Sequence, residues 1–219
     1  MRPTVIGFAA LLTLSVPSLG RAALYAADLV ARSGDGLLTV DTASGLEWLD
    51  VTATVGQTYD AVASGPYVGS LGFRFATGAE VEALWRDAGA EGTFTNDTGS
   101  NIDAANYGAA ILLIDLMGCT SQLVGEACDG VSQNWNIAMY GPGSPDPHLV
   151  SAAIVDAYGP PDIDAGRAAM WLDFGPTVDL PSRPDVGSYL VRAVPESNAP
   201  AMLALGVLVL ASVGRRKLH

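Results

Sequence analysis

Apolar residues fall into three regimes along the 219-residue chain. Residues 5–16 and 199–214 are almost unbroken apolar runs, and between them apolar positions alternate or recur at helical spacing, cut by Pro and Gly. In that middle stretch, residues 37–40 and 46–50 read as two short strands around the turn Asp41-Thr-Ala-Ser-Gly45, a first hairpin. Residues 59–62 form a helical turn within a Gly- and Ser-containing loop that ends near Gly72. Thr77-Gly-Ala-Glu80 has capping-box spacing, Thr77 capping a helix and Glu80 reaching back. The helix predicted over 78–88 puts Val81, Leu84 and Trp85 on one face by the i, i+3, i+4 rule. A second helix is predicted over 104–117, with Asn101 and Asp103 as its capping residues.

Beyond Met117 the period changes from helical to strand-like. Residues 135–140, 149–158, 168–174 and 189–194 are strand-like runs, separated by clusters such as Gly141-Pro-Gly-Ser-Pro-Asp-Pro147 and Gly159-Pro-Pro161. Residues 175–185 read as a long surface loop before the closing strand. Strands, then helices, then strands predict an α+β domain with a mainly antiparallel sheet and two helices. No internal repeat is present.

The two ends describe a destination. Residues 1–22 carry Arg2, the apolar run, a helix-breaking Pro17, and small residues Gly20 and Ala22 before Ala23, the pattern of a secretory signal peptide with its cleavage site. The C-terminal run 199–214 is slightly shorter than the roughly 17–25 residues a spanning helix needs. Pro200 at its first turn is tolerated there, so the run spans marginally. Arg215, Arg216 and Lys217 should stay cytoplasmic, which places everything before Pro200 across the membrane.

The tail from Val194, with Pro195 and Glu196, then the apolar run, then the basic cluster, resembles the PEP-CTERM sorting signal. Ser197 stands where that pattern has a second proline. The resemblance implies an exosortase as partner and proteolytic removal of the tail. It also implies a Gram-negative source that exports polysaccharide, with transient inner-membrane anchoring followed by release to the cell surface or biofilm matrix. The same residues also fit an ordinary single-pass tail anchor with a basic stop. The expected organisation is thus a signal peptide at 1–22, an exported domain at 23–194 and a sorting segment at 195–219.

Charge sharpens this picture. All 23 acidic residues lie between Asp28 and Glu196, whereas residues 23–197 keep six arginines and no lysine, a net charge of −17. Such a surface disfavours nucleic acid and anionic lipid as partners and keeps an exported protein soluble. Cys119 and Cys128 are the only cysteines, and behind a signal peptide they are expected to form a disulfide. No nearby histidine completes a metal-ligand set.

Three short motifs carry a second resemblance: T-A-S-G-L-E-W-L-D ending at Asp50, G-F-R-F-A-T-G-A-E-V-E-A-L ending at Leu84, and Y-L-V-R-A-V ending at Val194. Together they look like bacterial exported domains related to the C-type-lectin-like superfold. In those domains a "G-L-x-W" strand opens the fold and a "V-R-x-V" strand closes the sheet beside it. Phe73, Ala76 and Ala193 depart from that pattern at positions that usually hold Trp, Pro and Cys. Physically, Trp48 and Trp85 are expected to fill the core between hairpin and helix, with Arg74 pairing Glu47 or Glu80.

Candidate chemistry is sparse. Asp97-Thr98-Gly99-Ser100 imitates the tetrapeptide of pepsin-like proteases, but one copy, without a second lobe, would need a homodimer to place two aspartates around a shared proton. Asn96-Asp-Thr98 matches a glycosylation sequon and marks a loop. His148 lies in a proline-rich turn with no G-x-S-x-G partner. The cofactor left by this composition is an oxygen-ligand cation such as calcium, for which Asp162 and Asp164 are candidates, with Asp173, Asp179 and Asp185 downstream. No EF-hand spacing is present.

Two function classes compete. One is a non-catalytic surface or matrix protein that binds glycan through Trp135, Tyr140 and Trp171 at exposed positions. The other is an extracellular glycan-active enzyme using paired carboxylates. No motif assembles a base, a nucleophile and an orienting group, so the first is favoured.

Overall fold

In a computed structural model, the structure describes residues 23–94, 102–121, 128, 134–141, 149–158, 167–172, 177–178 and 184–195. Strands β1 (Leu24–Ala27), β2 (Leu38–Asp41) and β3 (Leu46–Leu49) open the fold. A 3-10 turn, Val51–Thr54, leads into the short helices α1 (Tyr59–Ala63) and α2 (Pro66–Gly69). Then come β4 (Arg74–Phe75), α3 (Gly78–Asp87), β5 (Ile102–Asp103) and α4 (Tyr107–Met117). The chain continues through β6 (Asn134–Tyr140), β7 (Leu149–Tyr158) and β8 (Arg167–Trp171). It closes with β9 (Thr177–Val178), β10 (Val186–Ser188) and β11 (Leu190–Ala193).

The domain is α+β, as the order of periodicities predicts, but its strands form two sheets rather than one. The first, β1-β2-β3-β11-β4, is antiparallel throughout, and its closing strand pairs Val191 with Trp48 beside the opening hairpin. The second, β10-β6-β7-β8-β5, is antiparallel except for the parallel pair β10–β6, and β9 attaches to β7. One stretch of chain joins the sheets: β10 lies on β6, Tyr189 turns the corner, and β11 continues on β3. The corner is held by backbone bonds, Tyr189 N–H to Met139 O at 2.8 Å and Ala76 N–H to Tyr189 O at 2.9 Å. The expected surface loop 175–185 is therefore shorter: 177–178 pair with β7, and Asp185 is buried ahead of β10.

The core lies between the helices and both sheets. Trp48, Leu84, Trp85, Leu113, Met117 and Tyr189 are among its largest fully buried members, none more than 1 % exposed. Edge-on aromatic pairs tie them together, Trp48 with Tyr189 at 6.1 Å and Trp85 with Phe94 at 5.1 Å between ring centroids. The first hairpin alternates poorly because β2 is covered on both faces. Thr39 faces inward and its Oγ1 donates to Leu116 O at 2.7 Å, so a polar side chain fits a buried position.

The capping box forms as its spacing predicts. Glu80 N–H donates to Thr77 Oγ1 while Glu80 Oε2 accepts from Thr77 N–H at 2.8 Å. Of the two candidate partners, Arg74 takes Glu80, donating to both carboxylate oxygens at 2.8 and 2.5 Å. The Arg74 guanidinium, helped by the Thr77 amide and hydroxyl and opposed by burial, holds the Glu80 carboxyl down at about 2. Glu47 is paired instead with Arg192 directly across β3 and β11, Nε to Oε2 at 2.7 Å, and that guanidinium also lies 4.5 Å over the Phe73 ring.

Helix α4 begins three residues later than expected. Its N-cap is Asn106, whose side chain makes no capping bond. The Asn106 amide clamps the connection after α3 instead, accepting from Glu91 N–H at 2.8 Å and donating to Glu91 O at 3.1 Å. At the other end, Gly118 leaves the helix with φ +89°, a conformation open to glycine. Here β6 supplies the cap: Asn136 Nδ2 donates to Met117 O at 3.2 Å and Gly118 O at 2.5 Å. Thr39 from one sheet and Asn136 from the other thus satisfy the carbonyls that a helix end leaves open.

Candidate functional site

Of the predicted sorting residues, Val194 and Pro195 are described; Glu196, Ser197, Arg215, Arg216, Lys217 and the run 199–214 lie outside the described residues. Val194 is half-buried and its N–H donates to Gly45 O at 3.0 Å, while Pro195 is exposed. The signal peptide, Asn96, the tetrapeptide 97–100, His148, and the carboxylates Asp162, Asp164, Asp173 and Asp179 also lie outside the described residues. Among the described residues no helix is long and apolar enough to cross a membrane, and no three His, Cys, Asp or Glu side chains are grouped to hold a metal. Asp185 is 2 % exposed, which removes it from an open cation loop.

The aromatic trio does not form one surface. Tyr140 is a core residue at 3 % exposure, its ring packed against Gly78 so closely that a Cβ there would stand 3.1 Å from Cε2. Trp135 and Tyr140 differ by an odd number along one strand, so they point to opposite faces of the sheet. That parity was readable in the sequence. Trp135 and Trp171 do share a face: both are half-buried around Ile137, Met139 and Val186, near the stacked pair Tyr59–Phe75. They stand two strands apart and two residues out of line, about 12 Å between backbones by ideal sheet spacing.

Cys119 and Cys128 are bonded, with 6.3 Å between Cα atoms. Both sulfurs lie within hydrogen-bonding reach of Ser121 Oγ, at 3.1 and 3.2 Å. Beside the disulfide opens a cavity of about 440 Å³, walled by Ile111 and Ile114 and edged by Asp115 and the buried Asn134. Among the described residues it offers one carboxylate and one amide against apolar walls. That set suits hydrogen bonding to a neutral, hydroxyl-bearing ligand and includes no nucleophile–base pair. Replacing Cys128 with Ser is expected to cost about 2–3 kcal/mol, because the unfolded chain regains the freedom of a short loop. Denaturant titration with and without reductant measures this, and an unchanged midpoint in reductant would remove the disulfide from the stability account.

A carboxyl pair carries no sequence motif because its members lie far apart along the chain. Asp41, at the end of β2, is fully buried and accepts from Ala43 N–H at 2.9 Å and from Ser44 Oγ–H at 2.5 Å. Asp87, at the end of α3, meets it: burial first, and then the charge and hydrogen bonding of Asp41, push the Asp87 carboxyl up. A raised folded-state acid favours the protonated fold, so its contribution is present below the unfolded value and is lost as pH rises through the folded one. Asp87→Asn should therefore raise the melting temperature at pH 7, with the gain shrinking towards pH 3. A variant less stable than the parent at pH 7 would show that Asp87 is not repelled there.

Comparison with known proteins finds no matching family model, no matching curated protein and no matching solved structure.

Proposed function

We propose that this chain is a non-catalytic exported protein of the cell surface or exopolysaccharide matrix, addressed by its C-terminal segment and cut there by an exosortase. One observation carries the reading. Among the described residues the last strand ends at Ala193 and the last backbone hydrogen bond is made by Val194, directly ahead of the sorting-like segment at 195–219. A folded domain that abuts such a segment without a linker suits an anchor that is temporary.

Glycan is the ligand class that fits this setting, through the common face of Trp135 and Trp171. Tyr140 has no part in it. The disulfide-side cavity lies against the other face of β6, since Asn134 and Trp135 are neighbours along that strand. An enzyme using paired carboxylates is the weaker reading. Glycosidases hold their two carboxyl groups about 5 Å or more apart around the sugar, both reachable by substrate. Asp41 is fully buried, and burial and then its carboxylate push its neighbour Asp87 up, so the pair is not spread around an open sugar site.

Mass spectrometry of the exported protein from hosts with and without an exosortase tests the address. A C-terminus near Pro195 only in the first host is expected, and an intact His219 in both would sink it. A glycan array on the exported protein tests the ligand. Trp135→Ala and Trp171→Ala should each weaken any signal about tenfold, as loss of one stacking contact of order 1 kcal/mol or more implies.

A further inference from the structure

Both ends of the described domain are fastened to one five-residue turn. Ala23 N–H donates to Thr42 Oγ1 at 2.9 Å and Ala23 O accepts from Thr42 N–H at 3.2 Å, while Val194 N–H donates to Gly45 O at 3.0 Å. Sheet register requires this convergence. β1 starts opposite the end of β2, Leu24 against Asp41, and β11 ends opposite the start of β3, Ala193 against Leu46. With strand order β1-β2-β3-β11, the two ends leave the same pole three strand spacings apart, about 14 Å.

We infer that the turn Asp41-Thr-Ala-Ser-Gly45 is the membrane-facing pole of the domain, held against the lipid headgroups by the C-terminal tether that leaves beside it. The inference rests on reading 199–214 as a membrane-inserting segment. Four residues lie between Val194 and Ala199, five Cα-to-Cα steps with a reach of at most about 18 Å. The domain itself is roughly 40 Å across for its length. The tether is therefore too short to let the opposite pole approach the bilayer while Val194 stays on Gly45.

The chemistry of the turn fits an anionic surface better than the rest of the domain does. Thr42, Ala43, Ser44 and Gly45 are exposed and uncharged. The one carboxylate of the turn, Asp41, is directed inward onto Ala43 N–H and Ser44 Oγ–H and is fully buried. On a domain of net charge −17, a turn whose exposed residues carry no charge lowers headgroup repulsion at that tip, with the half-buried Asp87 carboxyl behind it against Asp41.

The test uses the full chain in vesicles of phosphatidylethanolamine and phosphatidylglycerol that carry nitroxide-labelled headgroups. A fluorophore is placed on Ala43→Cys in one variant and on Val30→Cys in another. Val30 is 64 % exposed and follows the far end of β1, and the native cysteines are bonded to each other. Headgroup quenching several-fold stronger at position 43 than at position 30 is expected. Equal or reversed quenching in a chain that stays with the vesicles after an alkaline wash overturns the inference and leaves the anchor reading standing. A chain that washes off overturns both.

Discussion

Asn136→Ala is expected to lower the unfolding free energy by about 3 kcal/mol or more, on the scale of 1–3 kcal/mol for each buried group left without its partner. Asn136 is fully buried and does three things at once: it donates to the Met117 and Gly118 carbonyls and accepts from Tyr189 O–H at 3.1 Å. Truncation strips two carbonyls at the end of α4 and one phenol at the corner between the sheets. The phenol cannot compensate by ionising, since burial pushes it up, with the indole N–H of Trp85 opposing. Tyr189→Phe removes one of those bonds and should cost about 1 kcal/mol, so the two variants form an internal scale. Denaturant midpoints at constant slope measure both. An Asn136→Ala variant within about 1 kcal/mol of the parent would mean that water or helix relaxation satisfies the freed carbonyls.

Gly187→Ala should be of similar severity, about 3 kcal/mol, and for a different reason. Gly187 is buried in β10, paired with Ala138, at the point where the strand crosses the 3-10 turn Val51–Thr54. A Cβ built there collides with the Val51 carbonyl oxygen and approaches its Cγ1 to 2.6 Å. The clash is with backbone, so no side-chain rotation relieves it. The neighbouring bond from Ser188 N–H to Thr54 Oγ1, at 2.8 Å, ties the same two elements and would stretch as they part. Gly108→Ala is the control, because nothing lies within 4 Å of a Cβ at that exposed helix position. There alanine should raise stability by about 0.5–1 kcal/mol. If Gly187→Ala melted with the parent while Gly108→Ala rose, the close approach of β10 to the turn would be refuted.

Much of the local structure was legible, for reasons that each residue carries by itself. A threonine three places before a glutamate announces a capping box, since both orphan amides are met within one helical turn. Val81, Leu84 and Trp85 announce a buried face because helical spacing stacks them. The 41–45 turn between two apolar runs announced the hairpin, and the cysteines paired within a loop short enough to close. The candidate site was less legible. Calling Tyr140 an exposed partner of Trp135 ignored strand parity, and Asp41 with Asp87 gave no signal because their meeting depends on how α3 docks against β2.

The sequence alone therefore determined what depends on near neighbours: the periods of the elements, the capping box of α3, the turn and the sign of the charge. It also determined that α3 buries one face, through the spacing of Val81, Leu84 and Trp85. Only the tertiary structure decided that the strands divide into two sheets joined at Tyr189. It alone decided that polar Thr39 and Asn136 belong inside as caps for α4, and that Ala23 and Val194 leave from the same turn. Those outcomes follow from long-range register and from the requirement that buried carbonyls find donors, and neither can be summed from spacing along the chain.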